Sequence, residues 1–220
     1  MSNLYYESDA DVTLLKDLSI AVVGYGNQGR SWALNLRDSG FVPRVCVRAD
    51  ESRDLAQREG FETGELADAS QADVVCILIP DDAIPKLPLE RRDTGLTIVA
   101  SGYSLAFDRF KPAGDTSMVA PRMLGPEVRL CYEEGVGFIT AVGVQEDRTG
   151  RALAHTLAIA SAIGGLRQGR HDTKAGGRAR PRGRAGALAR AHTRESGLRA
   201  DDALPGHLGR SDHDRTGALG

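Results

Sequence analysis

Gly24-Tyr25-Gly26-Asn27-Gln28-Gly29 sets three glycines at a spacing with which a backbone can wrap an anion. The run follows Leu18 to Val23, an apolar stretch that reads as a buried strand. It opens Gln28 to Asp38, which reads as a helix stopped by Ser39-Gly40. In that setting the glycines divide the work. Gly24 permits a tight turn, Gly26 lets the backbone approach a pyrophosphate, and Gly29 allows the helix to pack closely on the strand. Phosphates would then sit at the helix N-terminus, where free N–H groups and the dipole favour negative charge. The pattern predicts dinucleotide binding.

The end of the next strand chooses between cofactors. A domain selective for NAD usually offers a carboxylate there for the ribose hydroxyls, whereas Arg48, Ser52 and Arg53 offer cations and a hydroxyl suited to a 2′-phosphate. NADP is the cofactor these residues favour. Asp50 and Glu51 in the same loop leave open the reading of a solvated charged turn.

Apolar runs that could position these groups alternate with helical stretches up to about Leu166. Strands are predicted at 44–47, 73–79, 97–100, 117–120 and 137–142, with helices at 52–59 and 64–69. A further helix over 149–163 would put Leu153, Leu157, Ala160 and Ile163 on one face. This alternation predicts an α/β fold, a Rossmann-type doubly wound and mostly parallel sheet, over residues 1–167. Cys46, Cys76 and Cys131 lack the spacing of a metal site or a disulfide framework and read as core thiols.

Residues 168–220 differ in kind. After Gln168 the chain contains no Ile, Val, Phe, Tyr, Trp, Met or Cys and consists largely of Arg, Gly, Ala, Asp and His. Such a segment buries too little apolar surface to offset the roughly 1–2 kcal/mol per residue that ordering a backbone costs, which predicts a disordered tail. Its acidic clusters, Asp201, Asp202, Asp212 and Asp214 with His213, read as solvated charges rather than metal ligands. Its arginines lack the interleaved aromatics of a nucleic-acid platform. A net charge of −2 over 220 residues, no long apolar run and an acidic N-terminal lead argue against membrane insertion and nucleic-acid binding and favour the cytoplasm.

The N-terminal stretch YYESDADVTLLKDLSIAVVGYGNQGRSWALNLRDSG resembles the opening of ketol-acid reductoisomerases. ILIPDDAI resembles that family's strand and loop beside the cofactor, and SMVAPRMLGPEVR its VAPKGPGxxVR segment; the similarity runs to about Gly165. The resemblance implies an NADPH- and magnesium-dependent oxidoreductase of branched-chain amino-acid synthesis acting on a 2-keto or acetohydroxy acid, with a homo-oligomer as one option. It implies a cofactor site formed by Gly24, Tyr25, Gly26, Asn27, Gln28, Gly29, Arg48, Ser52, Asp81, Asp82, Ala83, Ile84 and Gly125.

Two positions depart from the family. Ser101 stands where the family carries a histidine, and Arg122 where it carries a lysine. A serine hydroxyl does not titrate near neutral pH, and arginine keeps the charge while losing the compact ammonium. The magnesium ligands the family takes from a helical C-terminal domain are absent from the tail. With free choice of synonymous codons, the tail from about Arg170 can be read in the next frame as a string with helical periodicity containing Asp-Leu-Val-Val-Glu-Gln, similar to the family's metal-binding helix. The sequence thus predicts a frameshifted, truncated and inactive reductoisomerase-like chain, or alternatively a non-catalytic NADP-binding module.

Overall fold

The computed structural model describes residues 3–167 and 189–191. A sheet runs through it in the order β1-β9-β8-β7-β6-β5-β2-β3-β4. Its centre is β2 (Ile20–Val23), flanked by β3 (Arg44–Cys46) and β5 (Val74–Ile77), both parallel to it. β4 (Thr63–Gly64) extends the β3 side; β6 (Leu96–Val99) and β7 (Asp115–Pro121) extend the β5 side, all in parallel. The chain leaves β2 for β3 on one side and later returns to β5 on the other. That reversal opens a crevice beyond the carboxyl end of β2.

β8 (Thr140–Glu146) turns back antiparallel to β7. Beyond it lie β9 (Ala189–Ala191), parallel to β8, and β1 (Asn3–Tyr5), antiparallel to β9. The rest of segment 168–220, and with it the expectation of a disordered tail, lies outside the described residues.

Strand side chains alternate between two cores, as the pleat requires. Ile20 and Val22 face α1 (Asn27–Asp38), α2 (Glu51–Arg58), α4 (Gly125–Glu133) and α5 (Ala152–Ala162), with Trp32 and Phe138 fully buried among them. Ala21 and Val23 face a thinner layer containing Ala69, Ile84 and Leu105, the last in α3 (Tyr103–Ala106). Cys46 and Cys76 are buried, and burial pushes their thiols up to about 11 and about 12, as inert core groups require.

Several elements differ from the sequence expectation, among them the strand expected at 137–142, which is Thr140–Glu146. The helix predicted at 64–69 is a 3-10 turn, Leu66–Gln71, preceded by the two residues of β4. α4, with Pro126 in its first turn where N–H groups have no partner, has no counterpart in the sequence expectation. α5 is buried almost all round rather than on one face, because the 3-10 turn Val12–Leu15 covers the side away from β7 and β8.

Candidate functional site

The turn between β2 and α1 is fixed before any ligand arrives. Gly24 has φ +95°, a conformation L side chains rarely adopt, and a Cβ there would lie 2.6 Å from Ile79 Cγ2 and 2.7 Å from the Leu78 carbonyl oxygen. Its N–H donates to Cys46 O at 3.0 Å, tying the turn to β3. A Cβ on Gly29 would overlap the Gly24 carbonyl, so this glycine does let the helix sit on the turn. Gly26, by contrast, has open space where a side chain would be. It is also the N-cap of α1 and supplies no capping side chain, so the first N–H groups of the helix stay available to an anion.

The crevice above this turn has a volume of about 610 Å³. Gly24, Tyr25 and Gly26 form its floor; Val47, Arg48, Asp50 and Ser52 form the wall after β3; and Leu78 to Pro80, Asp82, Ala83, Lys86 and Leu87 form the wall after β5. Seven of the residues expected at the cofactor, Gly24, Tyr25, Gly26, Arg48, Ser52, Asp82 and Ala83, therefore meet in one cleft. Asp81 lies between the lining residues Pro80 and Asp82. Asp81 Oδ1 is buried without a hydrogen-bond partner among the described residues, and Ser104 Oγ donates to the Asp81 carbonyl at 3.3 Å.

The other expected residues do not line the cleft; several hold its frame. Gln28 Nε2 donates to Met123 O at 2.9 Å while its Oε1 accepts from Trp32 Nε1 at 3.1 Å, which locks α1 to the segment before α4. Gly125 lies against the Asn27–Gln28 peptide so closely that a Cβ would overlap Asn27 O. Ile84 is a core residue. Tyr25 contributes to the floor, but its hydroxyl is turned away to donate to Glu59 Oε2 at 2.7 Å. Burial first, and the Glu59 contact second, push that phenol well above its ordinary range.

On the wall after β3 Arg48 is highly exposed and stands 3.8 Å from Asp50, whose other oxygen caps α2 by accepting Ser52 N–H at 3.0 Å. Arg53 does not reach the cleft. Its Nη2 donates to Val47 O at 2.5 Å and pairs with Glu65 at 2.8 Å, so it braces β3 against β4. In sequence Arg53 passes for a phosphate ligand because its real partners cannot be seen there, and Lys86 goes unnoticed because it belongs to no recognisable motif.

Ser101 and Arg122 sit elsewhere on the same edge, just past β6 and β7 and outside the cleft lining. Ser101 Oγ accepts from Tyr103 N at 3.3 Å, and Arg122 is exposed. Among the described residues no three His, Cys, Asp or Glu side chains converge to hold a metal, so these residues do not fit a magnesium site.

A mostly parallel sheet with an uncapped helix N-terminus at its switch point above a glycine floor defines a dinucleotide-binding domain. Residues 14–169 match the family described as acetohydroxy acid isomeroreductase, NADPH-binding domain, and the chain belongs to that family. It is 45% identical over 181 residues to the ketol-acid reductoisomerase (NADP(+)) of Caldivirga maquilingensis, covering 79% of this chain and 55% of that protein. It superimposes with a TM-score of 0.70 and 31% identity on an NADH-preferring ketol-acid reductoisomerase from an uncultured archean, covering 74% of this chain and 53% of the other. A semialdehyde dehydrogenase NAD-binding protein from Cupriavidus necator, at 20% identity and TM-score 0.53 over 67% of this chain and 60% of its own, shares the fold alone. The chain spans about half the length of the reductoisomerases it matches.

Proposed function

We propose that this domain holds NADPH as the cofactor-binding half of a cytoplasmic ketol-acid reductoisomerase, whose substrate is a 2-keto or acetohydroxy acid. The observation that carries the reading is the cleft itself: an open glycine and uncapped N–H groups of α1 beside Arg48 and Ser52, in a chain that matches the family over residues 14–169. When bound, the nucleotide supplies a hydride. The chain's own part is positional. Backbone N–H groups of α1 take the pyrophosphate, Arg48 and Ser52 take the 2′-phosphate, and Asp81 to Ala83 border the second wall. Ser101 and Arg122 present a hydroxyl donor and a fixed cation beyond β6 and β7, where a substrate oxygen would meet them.

Among the described residues no cluster of carboxylates could hold the metal that isomerisation needs, so our reading gives these residues nucleotide binding rather than turnover. Calorimetric titration with NADPH, followed by NADPH oxidation assays with acetolactate and Mg²⁺, tests both halves of this reading. Binding without turnover is expected. Turnover that needs both substrate and Mg²⁺ overturns the second half, and absence of NADPH binding overturns the first. No helix of the described residues is long and apolar enough to cross a membrane.

A further inference from the structure

Arg48 and Lys86 are the two cations lining the cleft, and Asp50 and Asp82 the two carboxylates. They come from opposite walls: Arg48 from the loop after β3, Lys86 from the end of the 3-10 turn Ile84–Lys86 that follows β5. Lys86 lines the same cleft as Arg48. Its neighbour Leu87 and Leu66, which follows β4 beside β3, both line the cleft with Arg48. The turn that carries it is anchored, because Ile84 is buried and Lys86 N–H donates to Ala83 O at 3.1 Å.

A 2′-phosphate is a dianion and is held best by a cation that no carboxylate already neutralises. Arg48 alone is not such a cation, since Asp50 stands 3.8 Å from it and Asp50's other oxygen already takes the N–H of Ser52 at the start of α2. Arg53, the other nearby cation, is occupied by Val47 O and Glu65. Without Lys86 the carboxylates lining the cleft outnumber the cations; with it the two balance, and Lys86 has no ion-pair partner among the described residues.

We propose that Lys86 is the second cation of the 2′-phosphate subsite, closing on the phosphate from the wall opposite Arg48, and that it determines the preference for NADPH over NADH. This rests on the reading that the cleft holds a nicotinamide dinucleotide. A lysine suits the position because a point charge on a flexible stem can reach a phosphate from an exposed turn without a fixed fork geometry.

The test is calorimetry on the full chain with NADPH, NADH, 2′,5′-ADP and 5′-AMP as probes. Lys86→Ala should weaken NADPH and 2′,5′-ADP about tenfold, the scale of one charge-assisted contact, and change NADH and 5′-AMP less than about twofold. Lys86→Arg should recover most of the loss. In the double variant with Arg48→Ala the two losses should not simply add, because both cations face one phosphate. Lys86 is exposed, so its variants should melt with the wild type. Equal losses for NADPH and NADH would place Lys86 on the shared pyrophosphate and overturn the proposal, as would no loss in either. Failure of the wild type to bind any dinucleotide would instead sink the cofactor reading on which it rests.

Discussion

The turn after β2 and the turns after β6 and β7 stand on one carboxyl edge of one sheet, yet the chain equips them unequally. After β2 the backbone is held in a positive-φ turn by β3 and β5, with a helix N-terminus aimed into a cleft. After β6 and β7, Ser101 and Arg122 are accompanied by outward-facing apolar groups: Tyr103, Phe107 and Leu124 are 45%, 67% and 68% exposed. An anion cradle built from backbone can be completed within one βαβ unit, because its donors are peptide N–H groups fixed by local packing. Acid–base and metal chemistry needs side chains converging from several elements, and the described residues do not bring them together. Nucleotide binding and turnover should therefore separate in this chain.

The sharpest way to break that contrast is through the glycines. Gly29→Ala drives a methyl into the Gly24 carbonyl, and neither backbone can yield without moving α1 off β2. The expected loss is about 3 kcal/mol, at the upper end of overpacking effects, read by urea denaturation. Unchanged stability would show that the turn is not rigid. Gly26→Asp should do the reverse. Its Cβ enters open space, so stability should stay within about 0.5 kcal/mol of wild type, while NADPH affinity falls at least about a hundredfold as a carboxylate occupies the anion's place. Ser101→Ala, on the other edge, should leave NADPH affinity untouched; a loss comparable to that of Gly26→Asp would join the two regions into one site.

Charge on the wall after β3 gives the next smaller effect. Arg48→Ala should cost NADPH about 1–3 kcal/mol and NADH little. Asp50→Asn should tighten NADPH by less than about 1 kcal/mol, because the neutral amide keeps the cap on Ser52 N–H and removes the charge beside Arg48. A calorimetric comparison in which NADH gains as much as NADPH from Asp50→Asn would show that the carboxylate does not face the 2′-phosphate.

The sequence was most informative where the signal is local. Three glycines after an apolar run specify a strand, turn and helix within a short stretch, and Leu18 to Asp38 matches β2 and α1 closely at both ends. It was least informative where a role depends on a distant partner. Arg53 looks the same in sequence whether it meets a phosphate or the carbonyl of Val47, and Gln28 whether it meets a cofactor or Met123 O. Leu153, Leu157, Ala160 and Ile163 suggested one buried face on α5, but the segment Val12–Leu15 folds over the other side, which no helical period can announce. The departures at Ser101 and Arg122 were legible as residue types, while their setting outside the cleft was not.

The smallest predicted effect tests how the glycine turn is held from behind. Arg30 donates to Glu59 through Nε at 3.0 Å to each carboxylate oxygen, Tyr25 donates at 2.7 Å, and Arg37 Nη1 donates to the Glu59 carbonyl at 2.7 Å. The Arg30 contact, working against partial burial and helped by Tyr25, holds the Glu59 carboxyl below its ordinary value of 4.5. A folded-state value below the unfolded one means that the stabilisation is fully present above about pH 4.5 and is lost as pH falls through the lowered value. Glu59→Gln should therefore melt below wild type at pH 7, and the gap should close as pH falls under 4.5. The acid limb should not vanish altogether, because Asp73 is also lowered: burial opposes it, but the hydroxyl and N–H of Ser19 together with the Arg92 guanidinium outweigh burial. Since Tyr25 lies between the cleft's glycines, the variant should also bind NADPH slightly more weakly at neutral pH. A melting gap that stays constant from about pH 7 to about pH 3.5 would show that Glu59 acts through packing rather than charge. NADPH affinity identical to wild type would show that the turn keeps its shape without this support.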